Sequence, residues 1–148
     1  MKNKKKSKAN SVNPEARCAI IRDLLLPKDT NANYDIFGGV LMSRMDIAAA
    51  LFARGISPLQ KWVTVAVNNI VFKKAVQVGD VLAIYAQQKR IGRTSLTINL
   101  QVEVERGDAT IEVASAEFVF VTVNREDGKA EPIQVKNQGN DCRTCSDR

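Results

Sequence analysis

One segment limits the possible folds more than any other: "GGVLMSRMDIAAALFARG", residues 38 to 55. Leu41, Met42, Met45, Ala48, Ala49 and Phe52 recur at helical spacing, and no proline interrupts them. Gly55 falls where a C-cap is expected. The spacing predicts a helix of roughly 16 residues, about 24 Å long. It is rich in alanine and methionine and poor in charge, so most of its faces must be covered. No other segment has the helical period, so strands must do the covering.

Four long segments supply them: "WVTVAVNNIVF" (62 to 72), "VLAIYAQQKRI" (81 to 91), "LTINLQVEVER" (96 to 106) and "TIEVASAEFVFVTVN" (110 to 124). In the third, Leu96, Ile98, Leu100, Val102 and Val104 all face one way. The turns "VGD", "GRTS" and "GD" are short, and short turns imply antiparallel neighbours. "RCAIIRDLLL" (17 to 26), ended by Pro27, reads as one more strand, and "PKDTNANYD" (27 to 35) is dense in turn formers. The expected class is α+β, with one helix laid across an antiparallel sheet. So small a sheet leaves an edge uncovered, which points to an oligomer.

At 148 residues the chain suits one domain. The net charge of +6 comes mostly from "MKNKKKSK", which holds five lysines; without it 17 basic residues face 16 acidic ones. No aromatic residue interleaves with these lysines, so they read as a solvated tail rather than a nucleic-acid arm. The expected division is a disordered basic tail over 1–15, a folded domain over 16–133 and a C-terminal tail over 134–148. No apolar run reaches the roughly 18 residues of a membrane span, and no signal-peptide core follows the lysines. A cytoplasmic protein without membrane insertion is expected. Cys18, Cys142 and Cys145 do not make a disulfide framework. "CRTC" has the spacing of half a zinc site but lacks its other half, so no metal is expected. The chain has no histidine, which excludes Ser-His-Asp, Cys-His and H-E-x-x-H chemistry. Any general base must be Asp, Glu, Lys, Tyr or Cys.

Asp46 is the conspicuous acid. Its helical neighbours Met42, Ala49, Ala50 and Ala53 include no base, so no ion pair forms along the helix. Two readings stand: a surface acid near the positive end of the helix dipole, or a carboxylate in use. Gly38 and Gly39 open the same helix, where unpaired N–H groups attract negative charge and glycine lets a ligand come close. The plainer reading is a tight turn.

The string "LPKDTNANYDIFGGVLMSRMD", with its D-x-N-x-x-x-D-I-F-G-G-x-x-M-S-x-M-D pattern, resembles the signature of small bacterial acyl-CoA thioesterases of the YciA type. It is also similar to the cytosolic acyl-CoA hydrolases of animals. The likeness continues through "WVTVAVNNIVFKKAVQVGDVL" and "IGRTSLTINLQVEV" and covers roughly residues 18 to 133. It implies the hotdog fold, a long central helix wrapped by an antiparallel sheet, and hydrolysis of acyl-CoA in fatty acid metabolism. It implies Asp46 as general base or nucleophile, and Gly39, with or without Gly38, as the site of the developing oxyanion. Asn31 would reach the site across a subunit boundary, unless it is a turn asparagine bonding its own backbone; Asn33 and Asp35 read as turn residues. Gly92, Arg93, Thr94 and Ser95 would lie near coenzyme A, and Lys73, Lys74, Lys89 and Arg90 could meet its phosphates. The plainer alternative makes these basic residues solvated strand ends. No cofactor is implied, since coenzyme A belongs to the substrate. The family pairs chains into a catalytic homodimer and often joins three dimers into a hexamer.

Two positions depart from the family: Tyr34 stands where glycine is usual, and Val40 where tryptophan is frequent. Both bear on acyl-chain preference. A non-catalytic acyl-CoA-binding or regulatory hotdog module is the alternative function. A hotdog dehydratase or hydratase is disfavoured because those usually need a histidine.

Overall fold

The computed structural model describes residues 17–135. The lysine-rich start and the "CRTC" pair lie outside them. In chain order come β1 (Ile21–Leu24), a one-turn 3-10 helix (Pro27–Asp29), α1 (Gly38–Ile56), β2 (Lys61–Phe72), β3 (Val81–Ile91), β4 (Ser95–Arg106) and β5 (Ala109–Val123). The sheet order is β1-β3-β4-β5-β2, antiparallel throughout. The short turns make β3, β4 and β5 a meander. β2 crosses to the far side of β5, so a 12-residue strand forms one edge of the sheet.

Alternation in β4 does what the sequence requires. Leu96, Ile98, Leu100, Val102 and Val104 are all buried against the helix side of the sheet. Leu41, Met45, Ala48, Ala49 and Ala53 of α1 meet them, and the alanines let the helix axis come close. The sheet curls at irregularities where one strand carries an extra residue: after Thr64 and after Asn68 in β2, after Gln88 in β3, and opposite Val102 and Glu103 in β5.

Several expectations need correction. β1 is four residues long, because Leu25 leaves the ladder: its N–H goes to the Asp80 carbonyl and its own carbonyl accepts from Gly79. The helix has 19 residues and runs through Gly55; Ser57 is its C-cap, with its N–H on the Ala53 carbonyl. Met42 is exposed rather than core, as are Ile47 and Leu51, while Phe52 is partly buried. Cys18 is disulfide-bonded, which the expectation from three cysteines did not include. No helix among the described residues is long and apolar enough to cross a membrane.

One buried charge holds the loop between β2 and β3. Asp80 is 2% exposed. Its two oxygens accept from Arg106 Nε (2.9 Å) and Nη2 (2.7 Å), and one also accepts the Gln77 N–H at 2.9 Å. The Arg106 guanidinium, helped by that N–H, holds the Asp80 carboxyl below the usual carboxylate range. The loop so fixed receives the Ile36 N–H on the Val76 carbonyl and pairs Asp35 with Gln77. The entry to α1 therefore rests on this clamp.

Candidate active site

The site starts at the helix entry. Phe37 is the N-cap residue and offers no side-chain cap. Among the described residues nothing accepts the N–H groups of Gly38 and Gly39, so both remain available. The two glycines differ in what faces them. A Cβ on Gly38 would lie 3.2 Å from the Phe72 ring, whereas at Gly39 nothing lies within 4 Å. Gly38 is thus a packing glycine, and open space stands in front of Gly39.

Asn31 sits in the loop before the helix. Its Oδ1 accepts from the N–H groups of Asn33 (2.8 Å) and Asp35 (3.3 Å), the behaviour of a turn asparagine. Its side-chain amide nitrogen has no acceptor among the described residues and can still donate. Tyr34 holds this turn with φ 63°, which accounts for a glycine being usual there, and its ring is exposed.

Asp46 lies two helical turns beyond Gly39 and is exposed in the isolated chain. Thr64 Oγ1 donates to Asp46 Oδ1 at 2.7 Å. Thr64 stands on β2 just before a bulge, a feature that re-aims neighbouring side chains. Sequence reasoning missed this residue. The available signal was a lone hydroxyl within "WVTVAV", which would face whatever polar group the helix presents.

A single chain does not bring these groups to one carbonyl. Seven residues separate Gly39 from Asp46, a rise of about 10 Å, while reacting atoms must approach to about 3–3.5 Å. Met42, Ile47 and Leu51 are exposed on α1, and Val65, Val71 and Phe72 on the edge strand β2.

The residues expected near coenzyme A fall toward two ends of the sheet. Gly92 to Ser95 close the turn between β3 and β4, with the Gly92 N–H on the Ser95 carbonyl at 2.7 Å. A Cβ at Gly92 would sit 2.8 Å from Ser95 Oγ, so the turn needs glycine. The Thr94 carbonyl accepts from the Thr122 N–H, and the Arg93 carbonyl from the Ile133 N–H. Arg90 and Arg93 are exposed at this end. Lys73 and Lys74 follow Phe72 at the opposite end, beside Gly38. The Lys73 ammonium is engaged by Glu112, and that of Lys89 by Glu117. Glu117 is held below its ordinary range by that lysine. No three His, Cys, Asp or Glu side chains gather as a metal site among the described residues.

Residues 34–111, from the turn before α1 to the start of β5, match the model of the thioesterase superfamily. The chain belongs to the thioesterase superfamily. This thioesterase is 41% identical over 122 residues to the acyl-CoA thioester hydrolase YciA of Salmonella typhimurium, covering 79% of this chain and 90% of that protein. The hexameric thioesterase y2039 of Yersinia pestis superposes with a TM-score of 0.75 at 40% identity, covering 80% of this chain and 97% of its own. Cj0915 of Campylobacter jejuni, a hexameric hotdog-fold thioesterase, gives 0.75 at 34% identity, covering 82% and 93%. The thioesterase has the hotdog fold, with one central helix inside a curled five-stranded sheet.

Proposed function

We infer that this thioesterase hydrolyses acyl-coenzyme A to a free carboxylic acid and coenzyme A, at a site assembled from two copies of the chain. The observation that carries the reading is the Thr64–Asp46 hydrogen bond, on the same helix as the open N–H of Gly39 but about 10 Å away along the axis. A two-fold partner pairing through β2 would bring the Asp46 of one copy toward the Gly39 of the other. The exposed edge of β2 and the apolar residues beside it suit that pairing.

The chemistry follows from the groups. The Thr64 hydroxyl fixes one oxygen of Asp46 and leaves the other to take a proton from water. The hydroxide so formed attacks the thioester carbon. Charge gathers on the carbonyl oxygen, which the Gly39 N–H at the helix start stabilises by about 3 kcal/mol where such donors have been measured. The tetrahedral intermediate collapses, the C–S bond breaks, and Asp46 returns its proton to the sulfur. Direct attack by Asp46, followed by hydrolysis of the anhydride, uses the same placement. The free amide nitrogen of Asn31 suits a donor to water or thioester.

Relatives bearing the name acyl-CoA thioester hydrolase support the substrate class. Hexameric structural neighbours support three such dimers per assembly. A purely binding module finds no support among them.

Asp46→Asn should lower kcat at least about 100-fold, the scale of a general base. A variant retaining most of its activity would remove Asp46 from the mechanism. Mixing unfolded Asp46→Asn and Gly39→Val chains and refolding them together should restore activity, because hybrid dimers hold one intact site. No recovery would mean that each chain carries its whole site.

A further inference from the structure

The far end of the same strip between α1 and β2 holds a cleft of about 220 Å³, lined by Ala50, Arg54, Pro58, Gln60, Trp62 and Arg125. Two guanidinium groups border it. Neither has a carboxylate partner among the described residues; Arg125 only donates to the Leu59 carbonyl, at 3.4 Å. The walls are fixed. Trp62 Nε1 donates to the Ser57 carbonyl, and Gln60 spends its amide nitrogen on Glu131 and the Pro132 carbonyl and its oxygen on the Gln134 N–H.

The end of a helix ordinarily repels anions. Here the Ala53 carbonyl is taken by the Ser57 N–H and the Ser57 carbonyl by Trp62, while the guanidinium groups reverse the local sign. Arg54 lies two i+4 steps beyond Asp46 through Ala50, about 12 Å along the axis. Trp62 shares a face of β2 with Thr64, which holds Asp46. The cleft therefore continues the strip on which the candidate acid sits, at a distance that the arm linking the sulfur of coenzyme A to its phosphates can span. It also shares its end of the sheet with Arg93, since the segment after Glu131 bonds both Gln60 and the Arg93 carbonyl.

Building on the acyl-CoA reading above, we propose that Arg54 and Arg125 form a phosphate subsite that holds the coenzyme moiety of the substrate. Planar guanidinium groups suit bidentate recognition of phosphate oxygens, and a cleft of this volume admits a phosphate group.

The test compares hexanoyl-CoA with hexanoyl-pantetheine, which keeps the thioester and loses every phosphate. Arg54→Ala and Arg125→Ala should each raise KM for hexanoyl-CoA about tenfold with kcat unchanged, the scale of one charge-assisted hydrogen bond. On hexanoyl-pantetheine, variants and wild type should be alike, and Arg54→Lys should recover part of the loss on hexanoyl-CoA. Variants unaffected on hexanoyl-CoA, or equally impaired on both substrates, would overturn the subsite while leaving the hydrolase intact. A loss seen only with glutaryl-CoA would assign the arginines to an acyl-chain carboxylate and overturn it too. Wild-type protein that turns over neither thioester would sink the functional reading itself.

Discussion

Replacing Asp80 by asparagine isolates the clamp beneath the helix entry. The carboxylate is 2% exposed and accepts three hydrogen bonds, two from Arg106 and one from the Gln77 N–H. Asparagine keeps one oxygen and turns an N–H₂ toward a guanidinium that also only donates. Hydrogen bonds to a charged group contribute about 1.5–3 kcal/mol, and the upper end applies because Asp80 is buried, although the Arg106 side chain is 38% exposed and water can serve it. About 3 kcal/mol in a domain of this size lowers Tm by roughly 10 °C. The pH dependence has a definite sign. The folded Asp80 has a lowered pKa, so its contribution is fully present above the unfolded value of about 3.9 and is lost as pH falls through that value toward the folded one. Thermal melts of wild type and Asp80→Asn should differ fully at neutral pH, with the gap narrowing from about pH 5 to about pH 3. Equal Tm values at neutral pH, or a gap that does not narrow in acid, would refute the clamp.

The two helix-opening glycines should respond differently to alanine. At Gly39 the methyl meets no atom within 4 Å and gains helix propensity, so Tm should hold or rise while kcat falls by roughly 10- to 100-fold as the methyl fills the approach to the N–H. Unchanged turnover would free Gly39 from any oxyanion role. Gly38→Ala should instead lower Tm, because its methyl lies 3.2 Å from the Phe72 ring. Tyr34→Gly should raise Tm by a few degrees, since a left-handed residue with a Cβ is strained by about 1–2 kcal/mol and flexibility in the unfolded chain offsets part of that. Tyr34→Ala is the control, and an equal rise there would refute strain as the cause.

Much of the fold was legible because burial on one face enforces a period. The β4 alternation and the long α1 stripe both record contact with each other, and the strand ends agree with the sequence pattern to within one residue for β2 to β5. β1 was overestimated because "RCAIIRDLLL" is apolar throughout, while its length is set by where Leu25 finds Asp80 and Gly79. Gly55 misled because a glycine near a helix end need not be left-handed; of the glycines among the described residues, only Gly79, Gly107 and Gly128 have positive φ. Asp46 and Gly39 stood out as candidates through their neighbours on one helix, whereas Gly38 packs against Phe72. Thr64 did not stand out, because its partner lies 18 residues earlier in the chain. The pairing of Lys73 with Glu112 was hidden for the same reason. The exposure of Asp46 in the isolated chain sets a limit of another kind, since the surface proposed to cover it belongs to a second molecule.

The ten-ångström gap between Gly39 and Asp46 has a consequence for newly made protein. On the composite-site reading, a folded but solitary copy holds half of each of two reaction centres and completes neither. Turnover per molecule would then climb with expression level before levelling off, so a sparse population would spare the thioester pool that a dense one drains.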